Sequence, residues 1–270
     1  HVFCGTNSLV DGLGAFVDIA GAFVLRGAGN ALYPVSHPFT GCSARFRARS
    51  FALETNSVID ATARGYSGMH GKSTVIGYGP GASLGASAAS YGGRGAAQTV
   101  GEARPTYPAD EESGRQHPRY PGSGSGGNSN APEISGAPGG GLVWIEAERE
   151  MAIAGRIWAP GFGGHLFTSG ASGGGVLLRC WKWKPSETME IIAPGGGAPG
   201  ASGYAGGGGR IAVWRCYDTD PRPATVEGRP EVRASGMLYG SYGFANGTGA
   251  EAGTVHWGDL PPRGLTIYVR

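Results

Sequence analysis

The stretch Gly141-Leu142-Val143-Trp144 indicates a repeating structure, because its outline returns twice along the chain. It reappears 34 residues later as Gly175-Val176-Leu177-Leu178, and after a further 34 residues as Gly209-Arg210-Ile211-Ala212. A second phrase, Ile157-Trp158-Ala159-Pro160-Gly161, recurs with the same step as Ile191-Ile192-Ala193-Pro194-Gly195. Two phrases that share one period indicate a repeated supersecondary unit, and therefore a solenoid.

Apolar alternation bounded by glycine predicts the strands of each unit. It covers residues 15–29 and 43–65, and then Leu142–Glu148, Val176–Trp183 and Ile211–Tyr217. A short second strand and an Ile-x-Ala strand complete each coil, which predicts three strands per turn. The fold class is therefore all-β, a single-stack parallel β-helix (solenoid) with long glycine-rich loops. Equivalent inward positions on successive coils are Ile59, Ile157, Ile191 and Val232.

The spacing allows two registers for the long strands. The glycine anchors give a shift of 34, whereas Arg179-Cys180-Trp181 aligned with Arg215-Cys216-Tyr217 gives a shift of 36. Both shifts are even, so inward and outward faces are preserved between those two coils. Matching the inward residues of 143–147 with those of 176–180 needs an odd shift, which indicates a bulge.

Residues 66–140 interrupt this rhythm with glycine-rich runs. Aromatic and basic residues at 104–107 and 117–120 favour an excursion that docks over one face. A disordered linker between two domains is the alternative. We predict one domain over residues 1–270, divided into N-terminal coils at 1–65, a glycine-rich excursion at 66–140 and regular coils at 141–270.

The composition allows a large core and excludes several classes of protein. Glycine accounts for 53 of 270 residues, yet 6 Trp, 9 Phe and 11 Tyr remain to be buried, and the collagen triplet is absent. A formal charge of +2 without a long charged run argues against a nucleic-acid groove or a polybasic anchor. No apolar stretch reaches the roughly 18 residues of a membrane span. The start at His1, without Met or a signal peptide, predicts a processed protein or a piece of a longer one.

Four cysteines permit three disulfide pairings. Cys180 and Cys216 lie 36 residues apart, and Cys4 and Cys42 lie 38 apart, each close to one coil. Neighbouring parallel strands are about 4.8 Å apart, within the Cα range of a disulfide. We predict two disulfides and an oxidising compartment, with four buried free thiols as the alternative. The sequon at Asn246 predicts N-glycosylation in the same setting.

Several strings resemble the glycine-rich β-helix repeats of very large secreted and cell-surface proteins. They are Val58-Ile59-Asp60-Ala61, Gly65-Tyr66-Ser67-Gly68, Tyr91-Gly92-Gly93-Arg94-Gly95, Gly139–Ala147 and Gly207–Trp214. The similarity covers roughly residues 43–257. It implies an extracellular, stalk-like or adhesive element and carries no catalytic residue over to this chain. The pair Cys180 and Cys216 is not part of that pattern.

A β-helix can also carry a polysaccharide lyase or hydrolase, with carboxylates on neighbouring coils. Here acids and bases alternate at the repeat spacing, Glu150 with Lys184 and Asp218, and Glu148 with Lys182. This favours structural ion pairs. The histidines form no HxH or HExxH set, and no GxSxG elbow precedes a helix. We therefore predict that the protein is not an enzyme and needs no metal or cofactor.

Four tryptophans could form an outward strip that stacks on sugar rings, and packing beneath the glycine-rich returns is the alternative. They are Trp158, Trp181, Trp183 and Trp257. We predict an extracellular structural or adhesive protein, a subunit or segment of a surface filament that self-associates end to end or continues in a larger chain. A carbohydrate-binding or polysaccharide-cleaving β-helix protein is the alternative function.

Overall fold

The computed structural model describes residues 13–68, 76–83, 87–97, 104–127, 135–164, 168–197, 204–218, 231–233 and 249–261. Its strands are β1 Leu13–Leu25, β2 Ala31–Leu32, β3 Ser43–Leu53, β4 Val58–Asp60, β5 Leu142–Ile153, β6 Arg156–Trp158, β7 Gly175–Pro185, β8 Glu190–Ile192, β9 Arg210–Asp218, β10 Glu231–Arg233 and β11 Thr254–Asp259. One helix, α1, spans Glu111–Gln116. In the described part of the chain, no helix is long and apolar enough to cross a membrane.

The strands form two parallel sheets whose members alternate along the chain. The six-stranded sheet has the order β1-β3-β5-β7-β9-β11, and the five-stranded sheet has the order β2-β4-β6-β8-β10. The prediction of an all-β fold with parallel strands is confirmed. Each described unit has two strands rather than the predicted three, because β5 continues through a bulge after Ala147 where a break between two strands was expected.

Equivalent residues of successive units are paired in both sheets. In the five-stranded sheet Ile59 pairs with Ile157, Ile157 with Ile191, and Ile191 with Val232, as the repeated phrase predicts. In the six-stranded sheet the inward residues of 143–147 pair with those of 176–180, and all of them are buried. The inward residues of both sheets pack into one core, in which each fully buried Ile or Leu contributes about 1.5–3 kcal/mol.

The register between long strands differs from both even shifts, whereas the odd shift predicted between 143–147 and 176–180 is confirmed. Leu142 pairs with Gly175, a shift of 33, and Gly175 pairs with Arg210, a shift of 35. The even shifts of 34 and 36 are therefore wrong for these strands, although 34 is correct for the short strands. The glycine-rich segments between strands absorb one residue in either direction, so the mean period survives while the local register changes.

A backbone hydrogen bond joins the two repeated phrases in each unit. The nitrogen of Gly141 donates to the carbonyl of Ala61 at 2.7 Å, and Gly209 donates to Ala193 at 2.8 Å. Gly174 donates in the same way to Ala159 at 2.8 Å. We call this contact the Ala–Gly hydrogen bond. It connects the end of each short strand to the start of a long strand, and in the first case it spans the whole excursion between residues 61 and 141.

Glycine-rich segments outside the sheets bind one another through their backbones. The amide of Gly65 donates to the Gly139 carbonyl, and that of Gly122 donates to Gly140, both at 2.7 Å. We call these segments the glycine bundle, which comprises residues 65–68, 122–125, 136–141, 170–174 and 204–209. Sequence patterns predicted these runs as loops and returns, but the structure uses them as a third packed layer.

The glycine bundle is packed too closely to hold a side chain at its glycine positions. A Cβ added at Gly139 would lie 2.0 Å from the carbonyl oxygen of Gly122, and one at Gly173 would lie 2.1 Å from that of Ala193. Neither glycine has a φ in the left-handed region. The requirement resembles that of collagen, where only glycine fits at the crowded axis.

Replacing a bundle glycine by alanine should destabilise the fold strongly. In Gly122→Ala the new methyl group would lie 2.3 Å from the carbonyl oxygen of Gly173, so we expect a loss of about 3 kcal/mol or more in the free energy of unfolding. Gly21→Ala is the matched control, since nothing lies within 4 Å of its Cβ position. We expect it to change stability by less than about 1 kcal/mol. Denaturant titration measures both, and equal losses would contradict the packing role of the bundle.

Candidate functional site

The outer face of the six-stranded sheet carries a second apolar cluster. Side chains alternate between the two faces of a strand, so these residues are the sequence neighbours of core residues. Trp144 and Leu177 are buried there, while Trp214 packs against the cluster at its edge. The remaining members are Leu142 and Ala212. Because this much apolar surface faces away from the core, something else must cover it.

Residues 104–127, here called the covering segment, lie over that cluster. The indole Nε1 of Trp214 donates to the backbone carbonyl of Gln116 at 2.7 Å. The guanidinium Nε of Arg210 donates to the backbone carbonyl of Tyr107 at 3.1 Å. Two side chains of β9 therefore hold the covering segment by its backbone.

Arg210 is fully buried under the covering segment. Its guanidinium carbon lies 5.6 Å from the ring centroid of Tyr91, and its Nη1 donates to Thr254 Oγ1 at 3.4 Å. Its Nη2 has no hydrogen-bond partner among the described residues. Burial raises the pKa of both Tyr91 and Tyr107, so the neighbouring phenols stay neutral. The Arg210 guanidinium is thus surrounded by a carbonyl, a hydroxyl and an aromatic ring. It forms no ion pair within the described residues.

A cavity of about 240 Å³ remains between the covering segment and the sheet. Trp144 on β5, Leu177 on β7 and Trp214 on β9 contribute its apolar lining. Leu177 pairs with Trp144, whereas Trp214 pairs with Arg179 two residues further along β7, so the two tryptophans lie diagonally on strands about 9.6 Å apart. The other lining residues are His117, Arg119, Glu146, Arg179 and Leu260. This cavity is the candidate ligand-binding site.

The polar residues of the cavity carry an excess of positive charge. Arg119 and Arg179 are exposed, and neither takes part in an ion pair among the described residues. Glu146 pairs with Arg179 in the strand register, and its Oε1 accepts a hydrogen bond from Trp144 Nε1 at 2.8 Å. The lining therefore combines two guanidinium groups with one carboxylate.

Two histidines contact the ring of Trp214. His117 stacks on it with a centroid distance of 5.0 Å and an interplanar angle of 1°, and His256 lies at 5.1 Å with a tilt of 49°. Burial lowers the pKa of each histidine below its ordinary value of 6.5. The charged groups that act on the pair are Arg115, Arg119, Arg179 and Glu112. Because the arginines oppose protonation, both imidazoles are neutral at neutral pH.

The structure does not place Cys180 beside Cys216. Cys180 is 1% exposed and pairs with Arg215, whereas Cys216 is the next residue along β9, is half-buried and is a free cysteine. The predicted stack assumed a shift of 36, and the actual shift of 35 turns the two side chains to opposite faces. Cys42 is buried, but its predicted partner Cys4 lies outside the described residues, as does Asn246. The second disulfide and the glycan stay predictions.

The four selected tryptophans do not form one strip. Trp183 is 4% exposed in the core, and Trp257 packs against that core with its ring 6.0 Å from the Trp183 ring. Trp158 lies in the other sheet and donates to Glu190 at 3.0 Å, while Trp181 is half-buried on β7. Packing therefore explains the placement of Trp183 and Trp257.

Sequence reasoning missed the two tryptophans that do line the cavity. Trp144 stands between the inward residues Val143 and Ile145, and Trp214 follows the inward Val213. An aromatic residue in the outward phase of a buried strand was the available signal, since such a residue indicates that the outer face is covered.

The charged residues of the sheet form the expected kind of surface pair. Lys184 Nζ lies 2.6 Å from Glu150 Oε2, as predicted, whereas Glu148 pairs with Arg47 at 2.6 Å instead of with Lys182. Exposed pairs of this kind contribute about 0–1 kcal/mol. Among the described residues, no group of three or more His, Cys, Asp or Glu could hold a metal ion.

Comparison of the chain with protein-family models, with curated proteins and with solved structures finds no match in any of the three. The resemblance to glycine-rich β-helix repeats consequently stays a prediction.

Acidification should loosen the covering segment. The pKa of His117 and that of His256 are lowered in the folded protein, so the unfolded chain binds more protons as the pH falls through 6.5. The stability of the docked arrangement is full above that value and declines down to the lowered pKa. Protection factors of the amides in residues 104–127, which correct for the slower intrinsic exchange at low pH, should therefore fall between about pH 7.5 and pH 5. The double variant His117→Gln, His256→Gln should lose this dependence, and an unchanged pH slope in it would contradict the assignment.

Proposed function

We propose that the protein is a parallel β-helix that acts as a structural or adhesive element of an extracellular surface. The observation that carries the proposal is the stacking of equivalent residues in both sheets, which the row Ile59, Ile157, Ile191 and Val232 illustrates. Successive strands alternate between the two parallel sheets, which is what a chain wound as a solenoid produces. The extracellular location is supported by the resemblance of the repeats.

The glycine bundle supports a mechanical role. Its segments are joined by backbone hydrogen bonds at distances such as 2.7 Å between Gly122 and Gly140, and the close contacts at its glycines leave no room for a side chain at those positions. Such a layer opens only by breaking several backbone hydrogen bonds together. A scaffold of this kind holds its shape under load, as a stalk or surface element must.

The edges of the six-stranded sheet support end-to-end association or continuation in a larger chain. In the described residues β1 and β11 are the edge strands, and β1 is 13 residues long. Phe16 and Val24 on β1 are 46% and 40% exposed. The free N–H and C=O groups of an edge strand are a template for another strand. A filament of stacked copies follows from the same geometry.

Carbohydrate binding is a second candidate function, and the cavity favours it. Aromatic walls around a few polar groups are typical of a small-molecule site. Glycoside hydrolysis uses two carboxyl groups across the scissile bond, and Glu146 is the single acid in the lining. The described cavity therefore supports binding rather than cleavage.

Cross-linking tests the β-helix register directly. Trp158 pairs with Ile192 in adjacent strands, so Trp158→Cys with Ile192→Cys should form a disulfide under mild oxidation. Asp60 lies one strand further away in the same row, so Asp60→Cys with Ile192→Cys is about 9.6 Å apart and should not. Peptide mapping by mass spectrometry identifies the linked residues. Equal cross-linking of both pairs would contradict the proposed stack.

Microscopy tests the structural role. Negative-stain images and sedimentation velocity should show elongated assemblies whose length rises with protein concentration. Phe16→Lys with Val24→Lys places charge on the β1 edge and should abolish assembly. Phe162→Lys is the control, because Phe162 is 56% exposed and lies outside both sheets. Compact monomers at every concentration would contradict a filament role for this chain.

A further inference from the structure

We infer that the cavity beneath the covering segment binds one acidic sugar residue, a hydroxylated ring that carries a carboxylate. The inference rests on the carbohydrate-binding candidate and names its ligand class. It does not depend on filament formation. Three features of the cavity lead to it, namely its size, its aromatic walls and its unbalanced charge.

The size and walls select a single ring. A volume of about 240 Å³ is below the range of about 300–1,000 Å³ that is typical for drug-sized ligands. Leu177 pairs with Trp144 and Ala212, and Trp214 pairs with Arg179 in the next outward row, so the two tryptophans lie diagonally on strands two positions apart. Because the Trp214 ring is stacked on His117, Trp144 and Leu177 supply the apolar surface for the C–H face of a sugar ring.

The charge selects an acid. Arg119 lines the cavity from the covering segment and Arg179 lines it from β7, so the two arginines come from the two elements that enclose it. Neither is in an ion pair among the described residues. A planar guanidinium binds a carboxylate through two parallel hydrogen bonds, which makes arginine well suited to this group.

Glu146 and His117 complete the recognition of a sugar. Glu146 uses Oε1 to accept from Trp144, and its other carboxylate oxygen can accept a hydrogen bond from a ligand hydroxyl. The neutral imidazole of His117 offers one donor or acceptor nitrogen at the same wall. A neutral sugar would leave both arginines without a counter-charge, and a small inorganic anion would leave the aromatic walls in contact with water.

Binding measurements with paired sugars test the inference. The methyl glycosides of glucuronic acid and galacturonic acid are compared with those of glucose and galactose by isothermal titration calorimetry, with tryptophan fluorescence as a second readout. We expect the acidic sugars to bind about tenfold or more tightly than their neutral counterparts. Their affinity should fall as ionic strength rises, because the contact is between charges near solvent.

Variants that change the charge of the lining residues test whether that charge controls the affinity for acidic sugars. Arg179→Gln and Arg119→Gln should each weaken binding of the acidic sugars about tenfold and leave the neutral sugars within about twofold. Glu146→Gln keeps an acceptor for the Trp144 indole but removes the negative charge and one hydroxyl acceptor, so it should weaken the neutral sugars more than the acidic ones and raise the ratio of acidic to neutral affinity. Arg49→Gln is the matched control, because Arg49 is exposed on β3 and does not line the cavity. Circular dichroism confirms that each variant is folded.

The outcomes separate the proposals. Equal binding of acidic and neutral sugars, or arginine variants that behave like Arg49→Gln, would overturn the acidic specificity and leave carbohydrate binding in place. A lower ratio of acidic to neutral affinity in Glu146→Gln than in the unchanged protein would overturn the assigned charge balance. Binding of no sugar by the folded protein would overturn both the inference and the carbohydrate-binding candidate, whereas the structural proposal is judged by cross-linking and microscopy alone.

Discussion

The Ala–Gly hydrogen bond between the end of each short strand and the glycine that precedes a long strand is the contact on which the structure depends. It joins Ala61 to Gly141, Ala159 to Gly174 and Ala193 to Gly209 at 2.7–2.8 Å. The approach is close enough that a Cβ at Gly209 would lie 2.9 Å from the Cβ of Ala193. A larger residue on either side would push the two sheets apart. Small residues at both positions therefore set the distance between sheets and, with it, the thickness of the core.

The same constraint explains how a long excursion fits into a regular stack. Because Ala61 and Gly141 are hydrogen bonded, the residues between them leave and return at one place, and β3 pairs directly with β5. The excursion then has two packing roles. Its glycine-rich parts, including residues 122–125, join the glycine bundle, and the preceding part of the covering segment lies over the outer face of the long strands. The space left between the covering segment and the sheet is the cavity that Leu177 lines.

Several features of the fold follow from the pattern, while the local register does not. The row from Ile59 to Val232 was predictable, since branched residues recur at a fixed step before a glycine. The pairing of Cys180 with Arg215 was not, because a step of 35 instead of 36 depends on how many residues the glycine-rich return absorbs. The glycine-rich sequence of such a return does not indicate how many residues it absorbs. The placement of Cys216 away from Cys180 is the consequence.

The aromatic residues of the outer face also combine a feature that the sequence predicts with one that depends on the folded chain. Alternation around Trp144 and Trp214 marks them as outward, yet only the docking of residues 104–127 turns that outward face into a cavity wall. Arg119 and Arg179 are 60 residues apart in the chain and meet at the cavity through this docking. The repeating strands, their parallel direction and the inward apolar rows were predictable from the residues alone, because these features depend on local alternation and a fixed period. The register, the packing of glycine backbones and the cavity were not predictable, because they depend on which distant segments come close enough in the folded chain to exclude side chains and water.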